Sequence, residues 1–173
     1  EKQGKRQFLR TFNAKAETLD SSKLVSPFFK GSRCLIPADA FYEWKQVAMT
    51  KEVKGKAKQV IEKHPYCIRM KNKEPFMFAG LFSVWKNPQG EELPTFTVIT
   101  TEPNELVASV HNRMPVILPA KYFEKWLDRN NQDVDELKHL LVPYPAAEME
   151  AFRVSTHVSN SRNQGEECMK PAG

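Results

Sequence analysis

An α+β fold with a mainly antiparallel sheet is what this sequence predicts, on three observations. Between Arg33 and Thr100, apolar, β-branched and aromatic runs follow one another, divided by Gly, Pro and Asn. From Thr101 to Leu141 the apolar spacing becomes helical, and near Phe152 a strand pattern returns. Strands in a run, then helices, then a strand is the order of an α+β fold, not of alternating βα units.

The elements follow in chain order. Thr11 to Leu19 reads as a short turn or helix, and Ser21 to Lys30 as linker or helix. Arg33-Cys34-Leu35-Ile36-Pro37 is a strand ended by proline. Phe41 to Val47 is a second strand, with Phe41, Glu43 and Lys45 on one face and Tyr42 and Trp44 on the other. Residues 50–64 carry much charge and little periodicity, so they read as an exposed basic loop. Tyr66–Met70, Phe76–Trp85 and Thr95–Thr100 are successive strands, with a hairpin turn at Asn87-Pro88-Gln89-Gly90. A helix starts at Thr101 and Pro103 and buries Leu106, Val107 and Val110. Pro119 opens another, with Tyr122, Phe123, Trp126 and Leu127 as its apolar stripe, and Val134, Leu137, Leu140 and Leu141 mark a third. Phe152 to Ser155 is the last strand, followed by a polar tail from Asn160.

The 173 residues suit one domain, residues 1–173, with a real core. The opening Glu1-Lys2-Gln3-Gly4-Lys5-Arg6 is charged and leads into no apolar stretch, so no secretory signal is read there. No apolar run is long enough for a membrane span, and no membrane partner is expected. Net charge +5 and a pI near 9.1 fit an anionic partner such as nucleic acid. Three widely spaced cysteines (Cys34, Cys67, Cys168) make no C-x-x-C pair, and four histidines are equally scattered. That spacing argues against a disulfide framework and a metal site, and points to a reducing cytoplasm.

Three segments place polar groups where a core would not want them. In Asn13-Ala14-Lys15-Ala16-Glu17-Thr18 the polar residues serve turn chemistry or a site. In Phe41-Tyr42-Glu43-Trp44 a carboxylate stands between aromatics. It is either desolvated and suited to proton transfer, or solvated and paired with Lys45 or Arg33. In His111-Asn112-Arg113-Met114-Pro115 the imidazole is either a helix cap or a catalytic group, and Arg113 can grip a phosphate.

The ordered set Asn13-Ala-Lys-Ala-Glu-Thr, Arg33-Cys-Leu-Ile-Pro-Ala-Asp-Ala-Phe-Tyr-Glu-Trp, Phe78-Ala-Gly-Leu-Phe, Thr97-Val-Ile-Thr-Thr and His111-Asn-Arg-Met-Pro closely resembles the SOS response-associated peptidase family. Val154-Ser-Thr-His-Val-Ser-Asn fits its closing strand, so the resemblance runs over nearly the whole chain. It implies a barrel-like β core with flanking helices and a monomer without metal or organic cofactor. It implies a sensor of abasic sites in single-stranded DNA. In this family an amino-terminal cysteine, exposed by autoproteolysis, forms a thiazolidine with the ring-opened aldehyde.

By position, the resemblance makes Asn13, Glu43 and His111 catalytic: Asn13 orients the cysteine, Glu43 manages protons, and His111 contacts the opened sugar. Lys15, Thr100 and Arg113 fall at its DNA-binding positions. Lys15 stands where the family usually has Arg, which keeps the charge and loses the bidentate fork. Asn112 replaces an Asp and Ala40 a Gly. The family's leading Cys-Gly-Arg and its Trp-rich stretch have no counterpart ahead of Asn13. The 173 residues alone are therefore expected to lack the nucleophile. A noncovalent single-stranded nucleic-acid binding module is the alternative, and a cysteine hydrolase using Cys34 with His111 is a third reading.

Overall fold

The computed structural model describes residues 11–53 and 56–172. They gather into two compact units, each threaded by three stretches of chain: 11–38, 76–102 and 114–144 in the first, 39–75, 103–113 and 145–172 in the second. The α+β class and the predominance of antiparallel pairing hold in both.

The first unit is built on a six-stranded sheet. Its path runs β1 (Asn13–Lys15), β6 (Glu92–Thr101), β5 (Phe76–Lys86) and β2 (Arg33–Ala38), with β7 (Met114–Pro115) on β6 and β8 (Ile117–Leu118) on β5. Only β1 runs parallel to its neighbour. The turn between β5 and β6 falls where expected, with Gly90 at φ 86° and its N–H bonded to the Asn87 carbonyl at 3.0 Å. At Gly80 a Cβ would lie 2.4 Å from Ile36 Cδ1 and 3.1 Å from Cys34 Sγ, so the side chains of the paired strand β2 fill the space beside this glycine.

Helices α1 (Ser26–Gly31), α3 (Phe123–Leu127) and α4 (Val134–His139) belong to the same unit. Phe29, Trp126 and Leu137 from these helices pack with Leu19, Leu81, Ile99 and Val116 into one buried cluster. Each such side chain contributes about 1.5–3 kcal/mol through removal from water. Arg33 fixes the helices to the sheet. It is buried, and its five N–H groups donate to five carbonyls at the ends of α1 and α3: Trp126 at 2.7 Å, Phe29 at 2.8 Å, Lys30 at 3.0 Å, Asn131 at 3.1 Å, and Asp128. Those carbonyls have no partner within their helices, and a guanidinium fork satisfies them from one position. The Trp126 indole returns a bond to the Cys34 carbonyl at 2.9 Å.

The second unit carries a three-stranded antiparallel sheet, β3 (Phe41–Val53), β4 (Lys56–Met70) and β9 (Met149–Arg153), in that order. The short helix α2 (Glu105–Ala108) belongs to it. Residues 50–64, expected to be a loop, are instead strand wherever described: β3 and β4 pair from Phe41↔Ile68 to Val53↔Lys56. Their exposure holds, because among the described residues no third strand pairs with the ribbon past Pro65. A two-stranded ribbon with both faces wetted needs no apolar alternation, so its sequence lacks the pattern that marks a strand.

Three smaller expectations change. Asn13–Lys15 is a strand followed by a 3₁₀ turn over Ala16–Thr18, because β6 supplies a partner from more than eighty residues away. The cap of α2 is Asn104, whose side-chain oxygen accepts from the Val107 N–H at 2.9 Å, while Thr101 still belongs to β6. The polar tail folds back: Val154 bridges to Pro171, and Cys168 is buried.

Candidate active site

In the second unit, a cavity of about 350 Å³ is lined by Glu43, Trp44, Gln46, Lys63, His111 and Ser159. Strand pairing explains most of this set. β3 is an edge strand, so side chains from both of its faces reach the rim. Trp44 and Gln46 point to one side, with Lys63 directly across from Gln46. Glu43 points to the other. The Trp44 indole donates to Ser159 Oγ at 3.1 Å, which ties the tail to the rim.

His111 follows α2, whose last turn is closed by the His111 backbone N–H on the Val107 carbonyl at 2.9 Å. The imidazole itself is turned away from that helix end. Its Nδ1 lies 3.2 Å from both the N and the O of Arg113, and 3.7 Å from Glu43 Oε1. With Nδ1 3.7 Å from Glu43 Oε1, the ring and the carboxyl are placed to share a proton.

The electrostatics point the same way. Burial pushes the Glu43 carboxyl above its ordinary range, and the neighbouring imidazole only partly offsets this. The side chain is 22% exposed, so solvent reaches it without fully hydrating it. Of the two readings open from sequence, the desolvated carboxyl fits. Arg33 is occupied by carbonyls, and among the described residues the ionisable side chain beside Glu43 is His111. A carboxyl shifted by burial toward its protonated form, beside an imidazole, can deliver a proton to a departing hydroxyl and recover it through the ring.

The remaining sequence-predicted residues fall into two sets. Asn13, Lys15 and Thr100 lie on one side of the first unit's sheet: Lys15 is paired with Thr100, and Asn13 with Val98 two residues along. Asn13 and Lys15 are exposed, and Thr100 is buried. Arg113, half-buried, is in the second unit beside His111. Trp44, Gln46, Lys63 and Ser159 line the cavity without having been singled out. Trp44 and Ser159 lay within the motifs quoted above, whereas Gln46 and Lys63 carried no sequence signal, because their pairing depends on the register of the ribbon.

The internal thiols make poor nucleophiles. Burial pushes both Cys34 and Cys67 up to about 11, so each is protonated near neutrality. Cys34 sits in β2 of the first unit and His111 in the second.

A family model described as SOS response associated peptidase matches residues 1–161. The abasic site processing protein YoqW of Bacillus subtilis (strain 168) is 40% identical over 161 residues, covering 93% of this chain and 67% of that protein. The abasic site processing protein HMCES of Gallus gallus is 37% identical over 179 residues, covering 94% of this chain and 50% of that one. A crystal structure of a protein from Bacteroides thetaiotaomicron matches with a TM-score of 0.78 at 29% identity, covering 94% of this chain and 66% of that one. The chain thus spans about two thirds of the length of these bacterial relatives and half of the vertebrate one.

Proposed function

Because this chain belongs to the SOS response associated peptidase family, we propose that it processes abasic sites in single-stranded DNA by covalent capture of the ring-opened aldehyde. The observation that carries this reading is the desolvated Glu43 carboxyl 3.7 Å from His111 in an open cavity. Capture begins when an α-amine adds to the aldehyde carbon and forms a C–N bond. Glu43 protonates the resulting hydroxyl, which leaves as water and yields a Schiff base. A thiol on the neighbouring carbon of the same residue then adds to that carbon. Its proton passes to nitrogen as the five-membered ring closes. One water is released and nothing is oxidised or reduced.

Within this reading His111 contacts the opened sugar and returns the proton to Glu43. Arg113, Lys15 and Thr100 hold flanking phosphates, and Asn13 orients the residue that supplies amine and thiol. That residue must be an amino-terminal cysteine, since Cys34, Cys67 and Cys168 carry amides in place of amines. Removal of a peptide ahead of it is assigned to the same proton-handling pair. The internal position of all three cysteines favours one further reading, in which the residues described here bind single-stranded DNA without bonding to it. No helix among the described residues is long and apolar enough to cross a membrane.

The test is a denaturing gel. This chain, carrying the family's Cys-led segment ahead of residue 1, is mixed with labelled single-stranded DNA bearing an abasic site. The expected result is a denaturation-resistant adduct that disappears when the leading Cys is changed to Ala and forms more slowly in Glu43→Gln. No adduct with the leading Cys in place would overturn the covalent reading.

A further inference from the structure

Beyond Pro65 the β3–β4 ribbon continues as nine paired rungs, Lys45↔His64 to Val53↔Lys56, with no third strand beside it among the described residues. A free ribbon of this length is marginal in water, and it buries little of its own surface. Its composition is one-sided. Lys45, Lys51, Lys56, Lys58 and Lys63 stand against Glu52 and Glu62. Glu62 is already paired with Lys51 and lies 3.1 Å from His64 Nε2. Among the described residues no carboxylate pairs with Lys45, Lys56, Lys58 or Lys63.

The register orders these charges. Lys45 and Lys51 share a face with Glu43, and Lys58 and Lys56 are cross-strand from residues of that face. Lys63, on the other face, lines the cavity itself. A row of ammonium groups therefore starts at the cavity rim and runs outward. From Glu43 to Lys51 it covers about 27 Å at about 3.4 Å per residue, the length of about eight phosphates along one strand of duplex DNA.

From this placement we propose that the β3–β4 ribbon is an arm that lies along the sugar-phosphate backbone leading away from the lesion, extending the DNA footprint on one side of the cavity. This rests on the DNA reading given above. The occupant is a nucleic-acid backbone because the ribbon offers ammonium groups without a carboxylate partner among the described residues, from Lys45 near the cavity to Lys58 and Lys56 about 20 and 27 Å farther out at about 3.4 Å per residue. It offers no aromatic stack for bases; of its two large exposed apolar side chains, Ile61 faces the opposite side and Met49 shares the face of Lys45 and Lys51.

The experiment measures binding of the 173-residue chain to single-stranded oligonucleotides carrying one abasic site. The strand is lengthened nucleotide by nucleotide on the 5′ side alone or the 3′ side alone, and a second series makes the extension duplex. Affinity should rise with length on one side only and then level off. In the triple variant Lys45→Gln, Lys56→Gln, Lys58→Gln that rise should vanish, while affinity for the shortest bound oligonucleotide stays within about twofold. On the long single strand the log–log salt slope should become shallower by about two, at about 0.7 per lost phosphate contact. Circular dichroism and the thermal midpoint of the variant should match the parent, because all three side chains leave the core untouched. A length dependence unchanged in the variant overturns the arm, and the lysines then serve only to keep an exposed edge soluble or to meet a protein partner. Failure of the parent to bind even the shortest lesion-bearing strand sinks the DNA reading itself, a result distinguishable from loss of the length effect alone.

Discussion

Arg33→Lys tests whether the first unit is held as described. The side chain is 6% exposed and commits all five donors to carbonyls at the ends of α1 and α3. Lysine keeps the charge but has three donors on one atom, so at least two carbonyls lose their partner and the ammonium stays desolvated. Hydrogen bonds to a charged group contribute about 1.5–3 kcal/mol each. The expected destabilisation is therefore on the order of 3 kcal/mol, with the upper end reached if the ammonium cannot reach all three remaining acceptors. In urea this appears as a lower midpoint at nearly constant slope, and on heating as a fall of roughly 6–12 °C for a chain of this size. Trp126 fluorescence should report it directly, since its indole and carbonyl belong to the same network. A loss below about 1 kcal/mol would refute the claim that the fork is what joins these helices to β2.

Three further outcomes are expected. Because the folded Glu43 carboxyl lies above its ordinary range, its contribution to stability is present below that range and lost as pH rises through the folded value. Glu43→Gln should thus gain stability relative to the parent with rising pH while slowing adduct formation; a flat difference in melting temperature across pH 4–8 would show that the carboxyl is not desolvated. Arg113→Ala should weaken DNA binding for all sequences alike and flatten the salt slope by about 0.7 on single strands, whereas sequence-selective loss would show base contact instead. The 173-residue chain with Glu1 as its first residue should give no stable adduct with abasic DNA, and an adduct that vanished on Cys34→Ser would restore the internal thiol.

What could be read from the sequence was whatever depends on local pattern. Strands with buried faces, such as Arg33–Ala38 and Phe76–Lys86, announce themselves by apolar alternation or continuous apolar runs, and α3 and α4 by their helical stripes. The ribbon at 47–64 did not, because neither face is fully buried and charge is tolerated everywhere along it. β1 was missed for a different reason: three residues form a strand only because β6 is there to pair with them. No boundary between the two units was legible, since each recruits three separated segments. At the site, Glu43 and His111 were found by residue type and motif, but their 3.7 Å approach and the participation of Gln46, Lys63 and Ser159 are consequences of register. The function of Arg33 was also invisible, because its partners are backbone carbonyls, which every residue has.

The pattern of protonation across the described residues limits which chemistry they can perform. A thiol raised to about 11 from an ordinary 9.0 presents about a hundredfold less thiolate near neutrality. Neither Cys34 nor Cys67 is therefore prepared to attack anything. Among the described residues lining the cavity, Glu43 is shifted toward holding its proton, because burial outweighs the opposing pull of the His111 ring beside it. A guanidinium or ammonium hydrogen-bonded to it would have pulled the carboxyl down and made it a base too weak to matter. The His111 ring, 3.7 Å away, is placed to relay that proton. A cavity whose described lining holds a carboxyl shifted toward its proton and no thiol suits a reaction whose nucleophile comes from elsewhere and whose slow step is loss of the carbinolamine hydroxyl as water. Schiff-base formation at an aldehyde is such a reaction, and ester or amide hydrolysis by Cys34 is not.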